Sequence, residues 1–250
     1  MDPRLAFALD VAYRAGRSTL SHFSTGVKVQ IKEDHTPVTI ADQQAEQLIR
    51  KAIQTKYPQD SILGEEGGES GKGTSRWVID PIDGTKSFIS GVPLYATLLS
   101  FEVNKEVRIG ICYLPALDEM IYAVKGGGAF SNGRLIHVSN KKSLDLASIS
   151  CGGHVTMMAK NRMTPFLELS KKVLLTRTWG DAYGHVLVAT GRIDGMIDPS
   201  LHRWDISAMS LIVKEAGGKV TNFAGKEGIF DEAISSNGLI HEQLIEAYRD

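Results

Sequence analysis

The chain has 250 residues, of which 42% are hydrophobic and 23% are charged, and its formal net charge at pH 7 is −1. This composition is typical of a globular protein, and the length allows either one large domain or two small ones. The almost balanced charge gives no electrostatic reason to expect nucleic acid or a membrane surface as a partner, so we expect a small molecule.

Two features of the sequence favour a cytoplasmic protein. The N-terminal segment carries acidic and basic residues within its apolar pattern, unlike a signal peptide, and no stretch approaches the ~20 apolar residues that span a bilayer. Of the two cysteines, Cys112 lies in the apolar run VRIGICYLP, which favours a buried free thiol over a disulfide with Cys151. A reducing compartment fits this cysteine usage.

The first part of the chain predicts two amphipathic helices with a hairpin or edge strand between them. Apolar residues recur at helical spacing over residues 4–23 and again over residues 39–57. The intervening segment, 27–38, alternates apolar and polar residues before a proline turn. The glycine-rich stretch 62–75 then predicts a mobile loop without regular structure, anchored only at its first residues.

The rest of the chain predicts a sheet followed by mixed helices and strands. Residues 76–138 contain successive strand patterns, and the Asn132-Gly133 pair predicts a tight hairpin turn. Helical patterns follow at residues 161–174, 181–191 and 205–218, then strands and a last helix after Asn237. This mixed order predicts layered α/β sheets rather than a barrel.

The segment WVIDPIDGTKSF, residues 77–88, places two carboxylates at the end of an apolar strand. Proline has no N–H for the ladder, so we expect strand pairing to stop after Asp80 and Asp83 to lie in the turn. Gly84 and Thr85 then begin a short helix whose free N–H groups attract anions. The pattern predicts a phosphate site beside the carboxylates.

Three more motifs contain acidic residues: TIAD ends in Asp42, GEE contains Glu65, and RWD ends in Asp205. Each acid also has an ordinary structural explanation. Asp80 and Asp83 are good turn and helix caps, Glu65 suits a solvated loop, and the other two suit the first turn or the N-cap of a helix. Their combination favours a cation-binding cluster over these separate roles.

The combination of PVTIAD, GEE, DPIDGT and a distant WD resembles the inositol monophosphatase family of metal-dependent phosphomonoesterases over essentially the whole chain. The resemblance implies a five-layered αβαβα sandwich of the inositol monophosphatase and fructose-1,6-bisphosphatase type, built as one domain over residues 1–250. An N-terminal half, 1–140, would carry most metal ligands, and a C-terminal half, 141–250, would complete the fold. Family members are commonly homodimers, so the resemblance also implies a homodimer.

The same resemblance assigns the metal ligands. It implies that Glu65, Asp80 and the carbonyl oxygen of Ile82 hold one Mg²⁺. A second Mg²⁺ would be held by Asp80, Asp83 and Asp205, with two or three ions in each active site. These are all oxygen donors, which Mg²⁺ prefers.

The resemblance further implies that a metal-activated water attacks the phosphate directly, without a phosphoenzyme. Thr85 paired with Asp42 would orient this water, and Glu65 would assist through its metal and water contacts. Two ions about 3.5–4 Å apart stabilise both the attacking and the leaving oxygen in such displacements. Gly84 and Thr85 would bind the phosphate group, and a side chain on the glycine would crowd it.

The residues around the motifs indicate which phosphate ester is hydrolysed. DPIDGTKSFISGVPLY together with RTWGDAYGHVLVATGRIDGMIDPSLHRWD looks most like the histidinol-phosphate phosphatases of this superfamily, which complete a step of histidine biosynthesis. By that resemblance Asp181 and Asp198 lie near the leaving group and, with Asp83, contact the substrate. Carboxylates pair with the ammonium of histidinol or accept a hydrogen bond from its imidazole, whereas inositol offers only hydroxyls. Asp181 also suits a helix N-cap, and Asp198 a turn before proline.

Several other functions stay open at this point. The same metal site would serve inositol phosphate, a 3′-phosphonucleotide or fructose bisphosphate, and a metal-binding regulatory protein would use the same acids without turnover. GGESGKGT is similar to a nucleotide-binding P-loop, but Gly73 stands where that motif requires Ser or Thr. Trp204 is expected to pack in the core, with His202 and Arg203 either lining the pocket or exposed.

Overall fold

The computed structural model describes residues 3–33 and 35–249, so Met1, Asp2, Asp34 and Asp250 fall outside the described residues. The chain begins with α1 (Pro3–Thr19), a hairpin of β1 (Val29–Ile31) and β2 (Pro37–Thr39), and α2 (Ile40–Lys56). The two predicted helices and the predicted hairpin are confirmed. The first helix ends earlier than its apolar pattern indicates, and a series of turns follows it.

An eight-stranded sheet forms the centre of the first part of the chain. Its strands are paired in the order β10-β9-β8-β7-β6-β5-β3-β4. The strands β3 and β5 are parallel, whereas the other pairs of this sheet are antiparallel. In chain order the elements are β3 (Ser61–Gly64), β4 (Gly68–Ser70), β5 (Ser75–Asp83), the short helix α3 (Thr85–Ile89), β6 (Ala96–Val103), β7 (Glu106–Leu114), β8 (Glu119–Val124), β9 (Gly128–Ser131) and β10 (Arg134–Ile136).

Two predictions for this sheet were wrong. The glycine-rich stretch 62–75 contains regular structure, because β3 and β4 form an antiparallel pair with Gly64 opposite Gly68. A parallel partner, β5, supports β3 on its other side, which local sequence does not reveal. Pairing also does not stop after Asp80, because Asp83 pairs with Ala96 beyond an irregularity in the ladder.

A five-stranded sheet occupies the second part of the chain, with the strand order β12-β11-β13-β15-β14. The predicted helices of this part are confirmed with somewhat different bounds, whereas β11, α4, β12 and β13 were not predicted. No described helix has the length and apolarity needed to cross a bilayer. The elements are β11 (Ser148–Cys151), α4 (His154–Ala159), α5 (Met163–Ser170), β12 (Leu175–Arg177), α6 (Asp181–Ala189), β13 (Gly195–Asp198), α7 (Arg203–Glu215), β14 (Lys219–Thr221), β15 (Ala233–Ser236) and α8 (His241–Glu246).

The elements stack in five layers, which confirms the predicted αβαβα sandwich. Helices α1 and α2 pack on one face of the large sheet around Ile49 and Trp77. Helices α6 and α7 lie between the two sheets and contribute Val186 and Ile212 to the largest apolar cluster. Helices α4, α5 and α8 share a third cluster with the small sheet. Each fully buried aliphatic or aromatic side chain contributes about 1.5–3 kcal/mol, so these layers hold the elements of the site firmly in place.

The two cysteines are separate, buried and free. The prediction of a buried free thiol at Cys112 is confirmed. Burial raises the pKa of both thiols, so the reactive thiolate form is suppressed at neutral pH.

Candidate active site

The register between two parallel strands brings the first two acids together. Gly64 of β3 lies opposite Ile79 of β5, so the next residues, Glu65 and Asp80, lie side by side where β3 ends and β5 continues. The N–H of Glu65 donates to the carbonyl of Ile79 at 3.2 Å, which continues the pairing by one residue. The GEE motif and the DPIDGT motif therefore meet at one edge.

An irregularity in β5 brings the second aspartate of DPIDGT to the same side as the first. In a regular strand, residues three apart point to opposite faces. Here Asp80 pairs with Leu98 and Asp83 with Ala96, so β5 has one more residue than β6 between these pairs. The N–H of Ile82 turns back to donate to Asp80 Oδ1 at 3.1 Å. Asp80 and Asp83 consequently face one space.

Asp205 reaches this space from the first turn of α7. It is the third residue of the helix, and its Oδ2 accepts a hydrogen bond from the His202 N–H at 2.7 Å. The alternative in which Asp205 is the N-cap was wrong, since His202 occupies that position. Carboxylate oxygens of Asp80, Asp83 and Asp205 all lie within 4.8 Å of one another. The distant RWD motif therefore joins DPIDGT in one acidic cluster.

Burial and mutual repulsion raise the pKa of every carboxyl group in this cluster. Desolvation is the largest cause for Asp80 and Asp83, and the charges of Glu65 and Asp181, respectively, raise their pKa further. Desolvation also raises the pKa of Asp205 to about 6, against the lowering effect of the His202 N–H. A bound cation would relieve this repulsion. The donors are oxygens without thiolate or imidazole, a set that fits Mg²⁺ rather than zinc.

Glu65, the fourth predicted carboxylate ligand, lies at the edge of the cluster and is paired with a lysine. Lys32, on the turn between β1 and β2, donates to Glu65 Oε1 and to Glu66 Oε1, both at 2.8 Å. Burial of the ammonium lowers the pKa of Lys32, but its hydrogen bonds to the two glutamates outweigh this effect and raise it. Lys32 lines the same cavity as the acids, although it belongs to none of the motifs in the sequence.

The predicted pair of Thr85 and Asp42 is present. The Thr85 hydroxyl lies 3.4 Å from Asp42 Oδ1 and 3.0 Å from the carbonyl oxygen of Ile82. The other carboxylate oxygen of Asp42 accepts from the N–H and the hydroxyl of Thr39, at 2.8 and 2.6 Å. Asp42 is thus both the capping-box residue of α2 and a neighbour of Thr85, so its structural role leaves one carboxylate oxygen facing Thr85.

Gly84 connects β5 to α3 in a conformation that favours glycine. Its φ is +81°, and a Cβ on it would lie 3.0 Å from Asp181 Oδ2. Thr85 is the first residue of α3, and its hydroxyl lines the same cavity as the acidic cluster. The two residues predicted to bind phosphate therefore lie directly beside Asp83.

Asp181 and Asp198 lie on the other side of the cluster. Asp181 is exposed, has φ +55°, and caps no helix N–H with its side chain, so its explanation as an N-cap was wrong. The next N–H, that of Ala182, donates to Asp83 Oδ2 at 2.6 Å. Asp198 at the end of β13 is 7% exposed, and its contact with the Ser200 N–H is long, at 3.5 Å.

Two adjoining cavities are lined by these groups, except for the fully buried Asp42. One, of about 310 Å³, is lined by Lys32, Glu65 and the acidic cluster. The other, of about 390 Å³, is lined by Asp198 and Trp179. Asp83, Asp181, Asp205 and Lys86 line both. A ligand of small-molecule size can therefore contact the cluster with one end and Asp198 with the other.

The residues before Asp205 differ from the sequence expectation. Trp204 is not a core residue: it is partly exposed, stacks on the His202 ring at 4.8 Å between centroids, and lines the first cavity. Arg203 instead turns away and binds the fully buried Glu102, with Nε 3.0 Å from Oε1. Consecutive residues of a helix point in different directions, so Arg203 and Trp204 were not expected to share one environment. The partner of Arg203 was not predictable, because Glu102 lies 101 positions away in the chain.

Comparison with known sequences identifies a family over the full length. The family model described as "Inositol monophosphatase family" matches residues 1–250. A histidinol-phosphatase of Chlorobaculum parvum is 40% identical, with 99% of this chain and 97% of the relative covered. A histidinol-phosphatase of Streptomyces coelicolor is 39% identical, with 98% and 95% covered. A fructose-1,6-bisphosphatase/inositol-1-monophosphatase of Thermotoga maritima is 36% identical, with 99% and 96% covered.

Solved structures agree with the sequence comparison. The Thermotoga maritima IMPase superposes with a TM-score of 0.92 at 36% identity, covering 99% of this chain and 96% of the other. The extragenic suppressor protein suhB of Bartonella henselae gives a TM-score of 0.93 at 31% identity, covering 98% and 97%. The motifs, the fold and the relatives all indicate the same family over almost the whole length of the chain. The chain therefore belongs to the inositol monophosphatase family of metal-dependent phosphatases, enzymes that hydrolyse small phosphate monoesters.

Proposed function

We propose that this chain is a Mg²⁺-dependent phosphatase that hydrolyses L-histidinol phosphate to L-histidinol and phosphate. The observation that carries the proposal is the pair of carboxylates, Asp181 and Asp198, on the far side of the acidic cluster. Two relatives named histidinol-phosphatase, at 40% and 39% identity, support it. The same reaction class with inositol 1-phosphate is the second candidate, supported by the relative named for fructose bisphosphate and inositol phosphate at 36% identity.

In this proposal the metal ligands are those that the motifs predict. Asp80, Asp83 and Asp205 would hold one Mg²⁺, and Glu65, Asp80 and the Ile82 carbonyl oxygen another. Carboxylate oxygens of Asp80, Asp83 and Asp205 lie within 4.8 Å of one another, which supports the site formed by these three aspartates. When bound, the ions would neutralise charge on the phosphate and supply an activated water. Lys32 would have to leave Glu65 Oε1 for that oxygen to bind a cation.

Thr85 and Asp42 would orient the attacking water. A hydroxyl has one proton to donate and two lone pairs to accept with. When Thr85 donates to Asp42 Oδ1, its oxygen can accept a hydrogen bond from water and the Ile82 carbonyl oxygen becomes available as a ligand. The 3.4 Å separation is long for a hydrogen bond, as catalytic hydrogen bonds often are in the absence of substrate.

The phosphate would lie against Gly84 and Thr85, where the absence of a Cβ leaves the backbone N–H groups accessible. Lys86 lines both cavities and adds a positive charge on the phosphate side. The leaving group would then extend past Asp83 into the second cavity.

Asp181 and Asp198 would distinguish histidinol from a neutral alcohol. The ammonium of histidinol forms charge-assisted hydrogen bonds with a carboxylate, and its imidazole donates one N–H. Asp181 is exposed as a residue, but burial of its carboxyl group raises the pKa of Asp181, while the nearby charge of Lys86 lowers it. Desolvation also raises the pKa of Asp198, followed by repulsion from Asp181. A cationic substrate would relieve this repulsion, whereas inositol would not.

A direct assay tests the substrate. Phosphate release from histidinol phosphate and from inositol 1-phosphate is measured with Mg²⁺ and with EDTA. We expect Mg²⁺-dependent release with a higher kcat/KM for histidinol phosphate. A preference for inositol 1-phosphate would favour the second candidate, and Mg²⁺ binding without release from any tested monoester would favour a regulatory protein.

We also propose a homodimer, for which the family resemblance is the support, and a cytoplasmic location, for which the two free cysteines are the support. Light scattering coupled to size exclusion would give twice the chain mass of 27.3 kDa. A mass equal to that of one chain at micromolar concentration would contradict the dimer.

A further inference from the structure

Helix α2 presents three polar side chains to the active-site segments along one face. Asp42, Glu46 and Arg50 are spaced four residues apart, so they lie one above another on the helix. Asp42 contacts Thr85, as described above. The other two contact a different segment, the turn between β3 and β4, which begins with Glu65.

Glu46 binds the backbone of this turn with both carboxylate oxygens. Its Oε2 accepts from the Glu66 N–H at 2.8 Å, and its Oε1 accepts from the Gly67 N–H at 2.8 Å. Arg50 Nε donates to the same Oε1 at 2.6 Å. The Glu46 side chain is only 3% exposed, so these hydrogen bonds form away from water, where they are strongest.

Arg50 extends the same contact further along the turn. Its guanidinium donates to the Gly68 carbonyl and, at 3.1 Å, to the Ser70 hydroxyl. The fit is close, because a Cβ on Gly67 would lie 2.8 Å from both Glu46 Oε1 and Arg50 Nε. The Glu65 N–H is held from the opposite side by β5. The backbone around Glu65 is therefore fixed on both sides.

We propose that Glu46 is a positioning residue for metal binding. By holding the N–H groups of Glu66 and Gly67, it fixes the turn that directs the Glu65 carboxylate toward Asp80, and Arg50 fixes Glu46 in turn. This inference rests on the proposed function, in which Glu65 is a metal ligand. A glycine-rich turn without this contact would have many conformations, and ordering it on metal binding would reduce the affinity for the metal.

The test is Mg²⁺ binding to the Glu46→Gln variant of the full chain, measured by calorimetry without substrate. Glutamine keeps the shape but not the charge, and its NH₂ group cannot accept from the second N–H or from Arg50. We expect the dissociation constant for Mg²⁺ to rise about 10-fold, the usual effect of losing a residue that supports a ligand. Excess Mg²⁺ should restore most of kcat, with KM for the phosphate ester unchanged.

Two further variants keep the test decisive. Gly67→Ala disturbs the same hydrogen bonds from an exposed turn position and does not alter a buried charge, so it serves if Glu46→Gln fails to fold. Asp194→Asn is the matched control: this carboxylate is 1% exposed and also holds a backbone N–H, that of Ser148, and a lysine, but far from the turn. We expect it to lower Tm without changing Mg²⁺ affinity.

Glu65→Gln separates failure of this inference from failure of the proposed function. If Glu65→Gln weakens Mg²⁺ binding and both Glu46→Gln and Gly67→Ala leave it unchanged, Glu46 is not a positioning residue and the metal site stands. If Glu65→Gln also leaves Mg²⁺ binding unchanged, Glu65 is not a ligand and both statements are overturned.

Discussion

Replacing Asp83 with asparagine should make the metal-free protein more stable and the enzyme inactive. Asp83 is 7% exposed and shares its space with Asp80 and Asp205. Asparagine removes one negative charge and keeps an oxygen for the Ala182 N–H. The same substitution removes a proposed metal ligand, so the effects on stability and on activity should have opposite signs.

The size of the stabilisation follows from the separation of the charges. Two like charges at the 4.8 Å limit of this cluster repel by about 3.5 kcal/mol at an effective dielectric constant of about 20. Partial protonation already relieves some of this repulsion, at a cost of about 1.4 kcal/mol for each unit of pKa. A net gain of about 1–3 kcal/mol remains, which corresponds to roughly 2–12 °C in Tm for a chain of this size.

Thermal unfolding in EDTA and in Mg²⁺ at pH 8, together with phosphate release, measures both effects. In EDTA the Asp83→Asn variant should melt above the wild type, and the difference should shrink as the pH falls, because protonation relieves the same repulsion. At Mg²⁺ concentrations of about 100 times Kd the wild type should gain about 2.7 kcal/mol and the variant much less. Its kcat should fall strongly.

A matched carboxylate provides the control. The Asp60 side chain is mostly buried, but it has a cationic partner in Arg4 and accepts from the Trp77 indole N–H at 3.0 Å. Asp60→Asn should lower Tm with and without Mg²⁺. If Asp83→Asn also melts below the wild type in EDTA, the acidic cluster is not repulsive and the reasoning fails.

Three other substitutions give distinct outcomes. Asp181→Asn should raise KM for histidinol phosphate about 10-fold or more, as expected for loss of a charge-assisted hydrogen bond, and change KM for inositol 1-phosphate little; equal effects would show that Asp181 does not contact the ammonium. Gly84→Ala should lower both kcat and Tm, because φ +81° costs a residue with a Cβ about 1–2 kcal/mol; wild-type values would show that this backbone is not constrained. Burial lowers the pKa of His185 to about 4, below its unfolded value near 6.5, so the folded state resists its protonation. The wild type should therefore lose up to about 3 kcal/mol relative to His185→Gln as the pH falls from 6.5 to 4 in urea unfolding, and a constant difference would contradict this pKa.

The acidic residues were predictable because local motifs identify them. Asp80 and Asp83 stand together in one hexapeptide, and Asp42 and Asp205 each begin a strongly periodic helix. Periodicity predicted α2 and α7, and these helices place the last two acids. What the local pattern did not give was the pairing of β3 with β5, which sets the position of Glu65.

The residues that support the site were not predictable, because their partners lie far away in the sequence. Lys32 contacts Glu65 across 33 positions of the chain, and Glu46 contacts Glu66 across 20. Nothing in the local sequence distinguishes either from a solvated charge on a turn or a helix. Trp204 was misassigned because its size suggests a core residue, whereas stacking on His202 leaves it at the cavity wall. The positions of these three side chains therefore depend on tertiary contacts and not on the local sequence pattern.

The extra residue in β5 makes the length of the paired segment of β6 as important as the composition of DPID. Inserting one residue after Thr97 in β6 would give two residues on each strand between the flanking pairs, and the ladder would become regular. By the alternation of side chains along a strand, one of the two aspartates would then point to the opposite face. Gain of a single residue on the neighbouring strand would thus separate two acids that no substitution of Thr97 could move apart.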